Sequence, residues 1–197
     1  MPFFPKIRVK PLIVRAVIAA LCALSLSGCI DSAGPILPDA QPVLGPRLNL
    51  QLYSLRDGYA RDPERATFAW NGKLYAHVSG SMRDVRGFLV HPFEGGDYII
   101  QSVPARHPDI NEYALMRKLA EGVYQVIAID EADADEPTRA ASCKHPGGTA
   151  CRIETREQLF AFARATAAKR KTDGGLAIRL PDGAERRPAR ERARYRR

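Results

Sequence analysis

Asn71-Gly72 lies between two short runs rich in apolar and aromatic residues, Ala66 to Trp70 and Lys73 to Val78. Both centre positions of a type I′ turn need positive φ, which Asn-Gly tolerates, so the pair predicts a two-residue β-hairpin. Phe68 and Trp70 would share one strand face, and Leu74, Ala76 and Val78 a face of its partner. The scheme recurs where Arg86 to His91 and Asp97 to Val103 flank Pro92 to Gly96. Upstream, Leu48, Leu50 and Leu52 alternate with Asn49, Gln51 and Tyr53, and Arg56-Asp57-Gly58 reads as a turn. Downstream, Val123 to Ile129 reads as a strand. Glu112 to Glu121 is ambiguous between helix and strand. Asp109 with Glu112 fits a capping box, while Tyr113, Leu115 and Leu119 fit an alternating strand turned by Glu121-Gly122. The neighbouring hairpins favour the strand.

After Ile129 the pattern changes. Asp135 can cap a short helix with Pro137 in its first turn. Thr155 and Gln158 fit a capping box opening a helix to about Lys171. Its inner stripe is Leu159, Phe162, Ala163 and Thr166. Gly174-Gly175 would end that helix, and Leu176 to Leu180 reads as a last strand. Strands first and helices late predict an α+β fold: an antiparallel, hairpin-rich sheet followed by a C-terminal helix packing on it. The single domain is expected over residues 48–180.

Charge sits at the two ends. The chain carries 30 basic and 22 acidic residues, net +8. Lys6, Arg8, Lys10 and Arg15 belong to the first 28 residues, which hold no acid. Residues 181–197 add seven arginines against Asp182, Glu185 and Glu191. The part between is neutral, so the basic balance does not argue for nucleic-acid binding. The arginine tail has almost nothing apolar to bury and is expected to be disordered. It reads either as a solubilising tail with no partner or as a contact for anionic lipid head groups or acidic wall polymers.

Behind that basic start, Ala16 to Ser27 is uncharged and rich in Ala and Leu. A run of about 12 residues suits the apolar region of a secretory signal, whereas a helix spanning hydrocarbon needs about 20. The run closes on Leu26-Ser27-Gly28-Cys29, which resembles the lipobox of bacterial lipoproteins. The resemblance implies removal of residues 1–28 as a signal peptide, acyl chains on Cys29, and a membrane anchor. Ile30 rather than Asp follows the cysteine, which by the same resemblance favours the outer membrane over the inner, with the domain facing the periplasm. Residues 29–47, with Pro35, Pro38, Pro42 and Pro46, read as the lipidated cysteine and an extended tether. An irregular strap packed on the domain is the alternative.

Cys143 and Cys151 enclose a Pro-Gly-Gly turn and read as a disulfide in an exported chain. A metal held by Cys143, His145 and Cys151 is the rival, with no fourth ligand in a known spacing. The segment Asp130 to Asp133 resembles the Asp-Glu-Ala-Asp motif of helicases, but no P-loop precedes it. Asp130, Glu131, Asp133, Asp135 and Glu136 form an acidic cluster, read as a solvated loop and helix-start acids. Ser102, His107 and Asp109 are neighbours in sequence, which is no evidence for a triad. G-x-S-x-G and H-E-x-x-H are absent. Trp70, Tyr75, Phe88, Tyr98 and Tyr124 either fill a core or line a ligand groove. The expectation is a lipid-anchored envelope protein with a structural or binding role, no cofactor, no metal and no catalytic residues. The alternatives are an envelope hydrolase using His91 or His107, or a small-ligand or metal carrier.

Overall fold

The computed structural model describes residues 30–37, 41–56, 59–60, 63–80, 82, 84–144, 151–171 and 174–182. Eleven strands form in chain order: β1 (Ile30–Ser32), β2 (Arg47–Arg56), β3 (Tyr59–Ala60), β4 (Glu64–Trp70), β5 (Tyr75–Gly80), β6 (Val85–Pro92), β7 (Tyr98–Pro104), β8 (Asn111–Ala120), β9 (Val123–Ala128), β10 (Cys151–Arg152) and β11 (Gly175–Leu180). Two short helices, α1 (Glu136–Ser142) and α2 (Arg156–Lys169), lie between β9 and β11.

The sheet closes on itself, which corrects the expected α+β class. β2, β4, β5, β6, β7, β8 and β9 pair antiparallel in succession, and β11 pairs with both β9 and β2. Eight strands thus form a closed antiparallel barrel. Closure leaves no open edge along the wall, the usual liability of a β-sheet. β11 fits between its neighbours because Gly174, at φ +102°, passes tight against β9; a Cβ there would lie 2.3 Å from the Val126 carbonyl oxygen.

The strand pleat divides side chains between two cores. Leu48, Phe68, Phe88, Val90, Met116, Tyr124 and Ala177 point into the barrel. Ile99, Tyr113, Leu115 and Ile127 point outward, where Ile30, Leu37, Ile153, Leu159, Phe162 and Ala163 cover them. β7, β8 and β9 are therefore apolar on both faces. Elsewhere the outer wall is polar, as at Asn49, Gln51, Arg65 and Thr67. A bilayer-spanning barrel has the opposite arrangement, with an apolar outside and a polar lumen.

Local signals hold up at most elements. The ambiguous 112–121 stretch is strand β8, turned into β9 at Gly122 (φ +70°). Thr155 and Gln158 make the capping box on α2, and the four expected stripe residues are its buried ones. Asp135 caps α1 through the Thr138 N–H at 3.0 Å. The Asn71-Gly72 hairpin forms, but Trp70 pairs with Tyr75, so the loop is four residues rather than two. Asn71 Oδ1 accepts both the Lys73 and Leu74 N–H groups, which stabilises the longer turn. The shift exchanges the faces of β5: Tyr75 points inward and Val78 is exposed.

The tether reading of 29–47 is also corrected. Ile30, Ser32, Leu37 and Leu44 are buried. β1 pairs with β8 and β10, and Arg152 holds Asp31 at 2.9 Å. Ile36 and Leu37 bury against the outer core and Leu44 against the barrel interior, a gain that solvated extended chain lacks. Cys29, residues 1–28 (read above as a signal segment) and residues 183–197 lie outside the described residues.

Candidate functional site

Small eight-stranded barrels either fill with side chains or leave room for one ligand. This one leaves a cavity of about 690 Å³, within the range of small-molecule sites. Its wall is almost wholly aliphatic and aromatic. β2 contributes Leu48, Leu50 and Leu52, and β6 to β9 contribute Phe88, Ile100, Met116, Tyr124 and Val126. Strict alternation places these residues inside, because every second residue of a strand faces the same way.

The cavity is graded along its length. Leu48, Phe68, Tyr75 and Met116 are buried at one end, while Leu52, Met82 and Val85 toward the other are only half-buried. The first end is braced by Tyr75. Its hydroxyl donates to the Gly45 carbonyl at 2.9 Å and accepts the Leu44 N–H at 3.2 Å. Burial pushes the Tyr75 and Tyr124 phenols above their ordinary pKa, so both remain neutral. Phe68, Phe88, Trp70 and Tyr75 stack or meet edge to face there. Of the five aromatics singled out from sequence, Phe88 and Tyr124 line the cavity and the others pack around its interior.

The remaining sequence candidates do not converge on it. No histidine among the described residues lines the cavity. Ser102 does, but its hydroxyl donates to the Glu112 carbonyl at 3.3 Å. His107 and Asp109 are exposed in the β7–β8 connection. Cys143 and Cys151 lie at disulfide distance, 2.07 Å between sulfurs, joining the end of α1 to β10. Glu131 approaches the pair, and His145 lies outside the described residues. The acidic cluster is consumed locally: Arg170 pairs with Asp130 at 2.9 Å and Asp133 at 2.7 Å, and Asp135 caps α1. Arg179, which also lines the cavity, gave no motif signal in the sequence; only its alternation with Ala177 on the last strand marks it as inward-facing.

His91 sits on the outer face of β6, buried, with no hydrogen-bond partner at Nε2. Burial, and then the charge of Arg156, hold its pKa below the ordinary 6.5. The unfolded chain therefore binds this proton more readily than the folded one. The sign follows: the contribution of neutral His91 to stability is intact above pH 6.5 and is lost as pH falls from there toward the depressed folded value. Melting curves at pH 7.5 and 5.5 should show a loss of stability on acidification that is smaller in His91→Gln. An equal loss in both proteins would place the acid sensitivity elsewhere.

Compared with family models, curated proteins and solved structures, the chain matches none.

Proposed function

We propose that the protein is a lipid-anchored envelope protein whose barrel binds an apolar small molecule, without catalysing a reaction on it. The observation that carries this reading is the cavity: about 690 Å³ of space inside a closed barrel, walled by leucine, isoleucine, methionine, valine and aromatic side chains. A partly open apolar cavity of that size gives its lining less packing than filling side chains would supply. A ligand recovers it by leaving water. A hydrolytic site needs a nucleophile, a base and an orienting group in one place, and the described histidines lie outside this one.

The anchor follows from Leu26-Ser27-Gly28-Cys29. Ile30, the next residue, is fully buried in the outer core. Acyl chains on Cys29 would thus hold the barrel against the lipid surface with no intervening spacer. That puts the cavity beside a reservoir of apolar molecules. The arginines of 181–197 would add a salt-sensitive contact with anionic head groups.

The test is uptake of an uncharged fluorescent apolar probe, N-phenyl-1-naphthylamine. The protein should bind it with a blue-shifted, saturable signal. Ala114→Trp, which fills the interior, should weaken binding about tenfold through overpacking. Ala168→Trp on the solvent face of α2 should not. Absence of saturable binding, or equal effects of the two tryptophans, would overturn the reading.

A further inference from the structure

Two of the described residues lining the cavity carry charge, Glu64 and Arg179. They flank β2: Arg179 pairs with Leu50 on one side and Glu64 with Leu52 on the other. Glu64 begins β4. The Arg179 guanidinium lies against Gly45, where a Cβ would stand 3.4 Å from Nη2. Gly45 adjoins Pro46, whose carbonyl takes the N–H of Trp70, the last residue of β4, at 2.9 Å.

The groups around Arg179 are already committed. Tyr75 spends its hydroxyl on Gly45 and Leu44. Glu121, the nearby acid, pairs with Lys118 at 2.8 Å. Arg179 itself uses its backbone N–H on the Gly122 carbonyl at 2.7 Å. Its side chain makes no hydrogen bond or ion pair with any described residue. The Tyr124 phenol, buried on β9 and kept protonated by that burial, lies within the reach of the Arg179 charge and offers an O–H. The apolar cavity is thus lined by an exposed guanidinium with no ion pair among the described residues, and by the Tyr124 phenol.

We propose, resting on the carrier reading above, that the cavity takes a single-chain amphiphile with an anionic head. The carboxylate or phosphate sits at Arg179 and Tyr124, and the tail runs along Leu50, Ile100 and Met116. The planar guanidinium fork suits two oxygens of either head. Among the described residues the wall holds no second cation to compete.

The experiment uses the chain from Ile30 onward, which holds every described residue, loaded with N-phenyl-1-naphthylamine. Palmitate, hexadecyl phosphate and hexadecanol are titrated as competitors below their aggregation limits. The two anions should displace the probe about tenfold more strongly than the alcohol; their ratio tells a carboxylate from a phosphate preference. Arg179→Gln should abolish that advantage and leave hexadecanol unchanged, and Arg179→Lys should keep part of it. Equal displacement by all three competitors in the parent protein overturns the anionic head while the apolar carrier stands. Loss of hexadecanol together with the anions in Arg179→Gln means the arginine supports the wall, and also overturns it. If the probe itself does not bind, the carrier reading falls first.

Discussion

Phe162→Ala is expected to destabilise the protein by about 3–5 kcal/mol, lowering its melting temperature by about 10 °C. Phe162 is fully buried at the centre of α2, in one cluster with Leu115 and Ile127 of the barrel wall. Truncation removes a large apolar surface and leaves a void that rigid strands cannot close. Other contacts on α2 share the load: Leu159 and Ala163 are buried beside Phe162, and Thr166 donates to Asp133 at 3.0 Å. The α2 capping box contributes about 1 kcal/mol, and the Arg117 guanidinium reaches the Ala167 carbonyl at 3.0 Å near its C-terminus. The loss concerns the outer core, so the native variant should bind an apolar probe as the parent does. Urea unfolding followed by circular dichroism measures the first quantity, and probe titration the second. A loss below about 1 kcal/mol would mean that α2 does not depend on this contact.

Cys29→Ala is expected to move the protein completely from the membrane fraction to the soluble exported fraction. No helix among the described residues is long and apolar enough to cross a membrane, and the barrel wall has the wrong polarity to span one. On the lipid-anchor reading proposed above, stable attachment would rest on acyl chains, and removing the one cysteine that resembles an acceptor would remove all of them together. Labelling with a palmitate analogue should vanish in parallel. Labelling that persists in the variant would exclude Cys29 as the lipidated residue.

Strand pairing was legible where neighbours in sequence are neighbours in space. β4 with β5, β6 with β7 and β8 with β9 are all joined by short turns, and alternation or Asn-Gly marks each. Closure was not legible. β9 and β11 are separated by α1, β10 and α2, and nothing local in Leu176 to Leu180 says that it pairs with Val123–Val126 on one side and Asn49–Ser54 on the other. A helix late in the chain argued for a layer on an open sheet; α2 does lie on strands, but on the outside of a closed wall. The prolines of 29–47 masked Ile30, Leu37 and Leu44, because tether composition and a packed strap look alike until their apolar residues find a surface. The cavity was hidden for a related reason. Alternation predicts which side chains point inward, not whether their volumes fill the space between them.

The wall of the barrel is not uniform. β6 pairs with β7 over most of its length, whereas β5 and β6 pair only at Tyr75–Phe88 and Ala76–Gly87. Beyond Ala76 the two strands run side by side without a described ladder, next to Met82 and Val85 of the half-buried end. Among the described residues, this is the barrel seam with the fewest paired positions. On the carrier reading, how tightly a guest is held and how long it stays would be decided in different places: the lining would set equilibrium affinity, and this thinly stitched seam the rate of escape.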